Sequence, residues 1–155
     1  MRLLRSVVLL ALGVMGGFMA AAVAVKRAVP SRGDAESDEV ALVAVFDGKQ
    51  LRSKASAFRG GSMLAWFGGI EADLREATLA PDARISVAAL FGGVALRVPP
   101  GWRVRSTVRA IAGGVEVSGT DPEDPEAPLL ELDGFAFSGG VAVSRKPSED
   151  DGEEP

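Results

Sequence analysis

Leu90-Phe91-Gly92-Gly93-Val94-Ala95-Leu96-Arg97-Val98 is the stretch that decides the fold, because weaker copies of it recur along the chain. Each copy has an apolar run, a glycine pair or its remnant, and a second run in which apolar and polar residues alternate. The repeated turn residues are Phe46, Gly48, Phe67, Gly68, Gly69, Phe91, Gly92, Gly93, Gly113, Gly114, Gly139 and Gly140. Counted from the second glycine of each turn, the copies are separated by 21, 24, 21 and 26 residues. A period in this range is typical of solenoids and propellers.

The runs that follow the glycine pairs have the pattern of half-buried β-strands. Within Val94–Val98 the even-numbered residues are all apolar and fall on one face, while Ala95 and Arg97 fall on the other. Proline-rich segments separate the copies and mark where strands stop, since proline cannot donate to a strand ladder. The sequence therefore predicts a mainly β protein, a parallel β-helix of about five rungs over residues 40–143 with one buried and one solvated face.

The glycine pairs are expected to supply positive φ angles where each strand bends sharply. A residue with a Cβ atom pays about 1–2 kcal/mol for such an angle. Valine at Gly92 or Gly93 is accordingly expected to destabilise the domain. We also expect Phe67, Phe91, Ala112 and Ser138 to form a column in that order. Another pair, Gly60-Gly61, falls out of phase and marks either an opposite corner or a distorted edge.

The N-terminal region contains 20 uncharged residues, Ser6 to Val25, between basic flanks. A helix of that length covers about 30 Å, the thickness of a bilayer core. Residues 1–27 are therefore predicted to be a single-pass membrane anchor. Ala22-Val23-Ala24 keeps a cleaved signal peptide as the alternative. Residues 28–39 are predicted to be a polar linker, and the acidic residues 144–155 a disordered tail.

The amino-acid composition excludes several kinds of catalytic and metal-binding site. The chain has a net charge of -4 and contains no Cys, His or Tyr. These counts exclude disulfides, thiolate nucleophiles and histidine bases or ligands, and they disfavour nucleic acid as a partner. We assign no catalytic, cofactor-binding or metal-binding residue from the sequence.

Taken with the apolar N-terminus, the Phe-Gly-Gly-Val corners and the Val98-Pro99-x-Gly101-Trp102-x-Val104 segment resemble the LiaF-like, cell wall-active antibiotic response family. The resemblance covers roughly residues 40–143. It implies a membrane protein with a C-terminal β-helical domain that restrains a sensor histidine kinase during envelope stress. It carries over no catalytic residue.

The sequence thus favours a non-enzymatic, membrane-anchored interaction or sensing module in the cell-envelope stress response. Its expected partners are the membrane and a sensor kinase or other membrane protein. A second hypothesis is a membrane-tethered scaffold that stacks end to end, as bactofilins do. A third is a β-helical carbohydrate-active enzyme that uses an acidic cluster, Glu71, Asp73 and Glu76.

One candidate binding surface follows from a basic row. Trp102, Arg103, Arg105 and Arg109 are predicted to form a face for anionic lipid or an acidic partner segment. The alternative is that these arginines keep an outer strand face soluble and protect it from edge pairing.

Overall fold

A computed structural model describes residues 1–145 of the chain. Two compact units divide at residue 30: Met1–Pro30, and the chain from Ser31 onward. The first unit is helix α1, Arg2–Ala28. Its best 18-residue window has a mean hydropathy of 2.4, so by length and composition it is able to cross a membrane. A signal sequence near the N-terminus would have the same properties.

The second unit consists of eleven strands. They are β1 (Glu39–Val45), β2 (Gly48–Arg52), β3 (Phe58–Trp66), β4 (Gly69–Asp73), β5 (Leu79–Leu90), β6 (Gly93–Arg97), β7 (Arg103–Ser106), β8 (Arg109–Ile111), β9 (Gly114–Ser118), β10 (Leu129–Phe137) and β11 (Gly140–Ser144). Sheet A has the order β1-β3-β5-β10-β7, with β8 also paired to β10, and sheet B has the order β2-β4-β6-β11-β9. All neighbouring strands run parallel, which confirms the predicted β-solenoid: five strand levels joined by roughly four turns.

The levels do not follow chain order, and this corrects the predicted column. Strands β10 and β11, the last in sequence, lie between the third level (β5, β6) and the level formed by β7, β8 and β9. The column therefore reads Phe46, Phe67, Phe91, Ser138, Ala112. The N–H of Phe91 donates to the carbonyl of Phe137, and that of Ser138 to Ile111.

Connections of different length make this order possible. The segment between β6 and β7 skips one level, a distance of about 10 Å that a few extended residues cover easily. The longer segment between β9 and β10 carries the chain back by one level. The sequence did not predict this path, because a repeat pattern reveals the number of levels and not their order.

The core lies between the two sheets and follows the predicted alternation. Val94 and Leu96 are 2% and 1% exposed, and Ile85 and Leu130 are fully buried. Trp102 is 5% exposed and packs into the same core. Burial of these side chains is the main stabilising term of the domain, at about 25 cal/mol per Å² of apolar surface.

The glycine pairs serve a different purpose from the one expected. Positive φ angles occur at the residue before each pair, at Phe46 (54°), Phe67 (51°), Phe91 (52°), Ala112 (52°) and Ser138 (49°). The first glycine of each pair is needed for space instead, because a Cβ there would overlap a backbone carbonyl of the neighbouring level. The second glycine has no such neighbour, since a Cβ at Gly93 would lie 3.6 Å from the nearest atom, the oxygen of Gly140.

This crowding explains why the first repeat departs from the others. Gly68 is confined by the carbonyl of Asp47, and Gly92 by that of Gly68. Level one has no earlier level beneath it, so Asp47 is tolerated at the equivalent position. Its carboxylate accepts a 2.8 Å hydrogen bond from the N–H of Val45.

The out-of-phase pair Gly60-Gly61 lies inside β3 and not at a corner. Both residues have positive φ, and the pairing of β3 with β5 shifts register between Phe58 and Gly60. At the C-terminal end, β11 ends at Ser144 and Arg145 is 7% exposed, so two residues of the expected tail belong to the domain. The remainder of that predicted tail lies outside the described residues.

Candidate interaction surfaces

A shallow trough of about 920 Å³ crosses the outer face of sheet B. Its floor is formed by the second glycine of every turn, in the spatial order Gly48, Gly69, Gly93, Gly140, Gly114. The next outward row has Ala95 and Ala142 side by side at its centre. Because every floor position lacks a side chain, the trough runs unbroken across all five levels, about 20 Å at the usual strand spacing.

The ends of the trough are polar. Gln50 and Glu71 lie at one end of the alanine row, and Glu116 lies at the other. The carboxylate of Glu71 forms a 2.7 Å ion pair with Arg97 on the adjacent strand. The backbone N–H and C=O groups beneath the trough already pair with neighbouring strands. A ligand would therefore be recognised by the shape of the trough and by the charges at its ends.

The acidic cluster suggested for catalysis is divided among separate cations. Glu71 pairs with Arg97, and Glu76 pairs with Lys54 at 3.2 Å. Asp73 accepts two hydrogen bonds from the Arg75 guanidinium, at 2.9 and 2.6 Å. These bonds from Arg75 hold the pKa of Asp73 below its ordinary value. The three carboxylates therefore act as individual ion-pair partners.

The predicted basic row shares one outward strand face but does not form one binding surface. Trp102 is buried in the core, so it is not available to a partner. Arg103 donates to the carbonyl of Ala127 at 3.0 Å, and Arg105 pairs with Glu131 at 3.2 Å. Arg109 is exposed and makes no salt bridge with any residue in the described part of the chain.

The other half of the outer face of sheet A is apolar, contrary to the expectation of a solvated face. Two outward rows cross the levels here, and their larger members are Leu64, Trp66, Leu90, Phe135, Phe137 and Ile111. We call this surface the apolar half of sheet A. The adjoining corner carries Phe46, Phe67 and Phe91, with successive ring centroids 5.3 and 4.9 Å apart.

The two ends of the stack differ in how well they are protected against pairing with a further strand. At the first level, Arg32 pairs with Ala41 on the edge of β1, and the Ser31 hydroxyl bonds with the backbone of Val43. Lys49 occupies an inward position on the edge strand β2, in register with buried Ile70. Inward charges of this kind discourage edge pairing. At the other end, β9 presents partly exposed valines at its inward positions and Ile111 of β8 is 58% exposed.

No protein-family model, curated protein or solved structure matches the chain. Within the described residues, no group of three or more His, Cys, Asp or Glu side chains is arranged to hold a metal ion. The geometry of the surfaces is therefore the basis for any functional assignment.

Sequence reasoning missed both surfaces, although each leaves a signal. The trough follows from the second glycine recurring in every copy, which becomes a continuous floor once the levels stack. The apolar half of sheet A follows from runs such as Met63–Phe67 and Val87–Phe91, in which no polar residue interrupts the apolar ones. A strand that buries only one face would alternate there.

Proposed function

We propose that the chain is a membrane-anchored, non-enzymatic interaction or sensing module whose solenoid binds a partner protein along the trough. The observation that carries this proposal is the unbroken glycine floor across five levels of sheet B, with Ala95 and Ala142 beside its centre. An elongated floor without side chains admits the backbone of an extended segment closely, and terminal charges fix its direction. Strand and loop segments of partner proteins are recognised on such surfaces by shape and by a few polar contacts.

The anchor in this proposal is α1, which remains in the membrane as a single-pass helix. The resemblance of its sequence to the LiaF-like family supports a partner among envelope-stress signalling proteins, a sensor kinase in particular. The exposed carboxylate of Glu116, at one end of the trough, favours a partner segment that carries a basic residue. Glu71, Asp73 and Glu76 have no catalytic role in this account, because each is neutralised by its own cation.

Site-specific photocrosslinking tests the proposal. A photoreactive amino acid at Ala142, the centre of the trough, is expected to give a discrete adduct in the membranes of the host cell. The same amino acid at exposed Ser86, on sheet A, serves as the control and is expected to give none. Adding Ala95→Arg, on the strand next to Ala142, is expected to abolish the adduct without changing the melting temperature.

The outcome separates the parts of the proposal. An adduct that survives Ala95→Arg, or no adduct at Ala142, would contradict binding in the trough. Mass spectrometry of the adduct then tests the signalling assignment. A partner unrelated to envelope sensing would remove that assignment and leave the interaction role.

A second candidate function is assembly, supported by the open end of the stack at β8 and β9. Within residues 1–145 one end is open, since Lys49 and the segment at Arg32 protect the other. Pairing through one end joins two copies by a two-fold axis and does not continue into a filament. Sedimentation of the detergent-solubilised chain tests this: a dimer supports end-to-end pairing, large assemblies support the scaffold, and a monomer excludes both.

A further inference from the structure

We propose that the apolar half of sheet A is a second membrane contact, lying against the headgroups and first methylenes of the bilayer that anchors α1. The proposal rests on the membrane anchoring proposed above. It goes beyond that anchoring by assigning one face of the solenoid to lipid and thereby fixing the orientation of the trough.

The apolar half of sheet A exposes several large apolar side chains. Phe135, Phe137 and Ile111 are 43%, 39% and 58% exposed, and Phe46 on the adjoining corner is 44% exposed. Large apolar side chains at several adjacent positions are unusual on a monomer surface and mark an interaction site. Aromatic and branched aliphatic side chains are also those that enter the boundary between headgroups and acyl chains.

The chain between α1 and its first attachment to the solenoid is short. Helix α1 ends at Ala28, and three residues later Ser31 is held on β1. Its hydroxyl donates to the carbonyl of Val43 and accepts from the N–H of the same residue, at 3.3 and 2.9 Å. Val43 is an outward residue of β1 in register with Leu64 of the apolar half. Three residues extend at most about 10 Å, so the chain ties the β1 edge of this face to the helix end, and β8 at the other edge lies four levels farther on.

The reach of these three residues matches the thickness of the interfacial layer. The headgroup regions add roughly 5–8 Å on each side of the hydrocarbon core. If α1 crosses the bilayer up to its basic last turn, the covalent link keeps the β1 edge of the apolar half of sheet A near the headgroups.

Charge is unevenly distributed over the outer face of sheet A. Exposed Arg109 lies on the same outward row as Phe135. Arg32, Lys26 and Arg27 are close to Ser31 in the chain. Basic residues beside an aromatic surface favour anionic lipid. Glu131 and Asp133 lie on the other half of this face and pair with Arg84.

Fluorescence quenching in vesicles tests the proposal on the full chain. The chain contains no Cys, so Ile111→Cys introduces a single labelling site. Ser86→Cys, on the polar half of the same sheet, is the matched control. Each variant is reconstituted in vesicles of phosphatidylcholine and phosphatidylglycerol and labelled with an environment-sensitive fluorophore. Quenching by headgroup-level nitroxide lipids is compared with quenching by aqueous iodide.

The probe at residue 111 is expected to be quenched several-fold more strongly by the nitroxide lipids than the probe at residue 86, and to be shielded from iodide. Equal iodide quenching at both positions would overturn the proposal. Shielding of residue 111 from both quenchers would also overturn it, because protein then covers the face: α1, a second copy or another segment. Phe135→Cys repeats the test and guards against a local effect of the first substitution.

Flotation after an alkaline wash separates this proposal from the one on which it rests. If the chain does not float with the vesicles, membrane anchoring fails and the second contact fails with it. If the chain floats while the probe at residue 111 is quenched by iodide, anchoring stands and only the lipid contact is wrong.

Discussion

Replacing Gly92 by alanine is expected to destabilise the solenoid strongly, whereas the same replacement at Gly93 is not. A Cβ at residue 92 would overlap the carbonyl oxygen of Gly68 and lie 3.1 Å from its backbone nitrogen. Both atoms belong to the backbone of the second level, so no side-chain rotation relieves the overlap. At residue 93 the nearest atom is the oxygen of Gly140 at 3.6 Å, an ordinary van der Waals contact.

The magnitudes follow from these contacts. Overpacking against rigid backbone costs about 2–4 kcal/mol in the free energy of unfolding. For a domain of this size, a loss of that kind lowers the melting temperature by roughly 4 °C per kcal/mol, or about 8–16 °C for Gly92→Ala. Gly93→Ala removes conformational freedom from the unfolded chain and is expected to stabilise by up to about 1 kcal/mol.

The assay is thermal unfolding of the full chain in detergent, followed by circular dichroism at a wavelength that reports on strands. The two variants differ by one position in the same turn, so each controls for the other. Equal losses at both positions would refute the argument, because they would mean that the turn needs the freedom of glycine and not the space. A larger loss at Gly93 would refute it more strongly.

Three further predictions concern other parts of the domain. Ala112 has a φ of 52°, so Ala112→Gly relieves about 1–2 kcal/mol of strain, offset by about 0.4–1 kcal/mol of unfolded-state entropy. Its melting temperature is expected to rise, while Ala110→Gly two residues earlier lowers it. The hydrogen bonds from Arg75 lower the pKa of Asp73 in the folded state, so the ionised carboxylate stabilises the fold at pH values above its ordinary pKa of 3.8. Asp73→Asn is therefore expected to destabilise at neutral pH, by less than about 1 kcal/mol as is usual for an ion pair near the surface. This stabilisation is lost as the pH falls from 3.8 through the lower folded pKa, so the two proteins should converge in acid and an undiminished difference there would be contrary to the argument. Lys49→Val removes the inward charge at the protected end and is expected to increase assembly in sedimentation; an unchanged sedimentation coefficient would mean that Lys49 does not protect the edge.

The repeat pattern predicted the class of fold well because period and alternation are local properties. Val94 and Leu96 are buried and Ala95 and Arg97 point outward, as a period of two requires. The helix prediction from charge-free length was also close, with α1 covering Arg2–Ala28. Each of these features depends on neighbours in the sequence.

The features that the sequence did not reveal depend on contacts between levels. The position of β10 and β11 between β5–β6 and β7–β9 leaves no local mark, because all levels carry the same repeat. The requirement for Gly92 comes from the carbonyl of Gly68, 24 residues earlier, and not from its own φ. Trp102 was predicted as part of a basic face, and only its burial in the core, at 5% exposure, shows that it does not belong to one.

The order of the levels places Ala95 beside Ala142 at the centre of the trough, and paired cysteines measure that order directly. Ala95 and Ala142 are register partners on adjacent strands, and Glu116 lies one level farther from Ala95. In the otherwise cysteine-free chain, the pair Ala95→Cys with Ala142→Cys is expected to be joined rapidly by a short thiol-bridging reagent. The pair Ala95→Cys with Glu116→Cys, about 10 Å apart, is expected to react slowly. Stacking in chain order predicts the opposite preference, and that result would contradict the account.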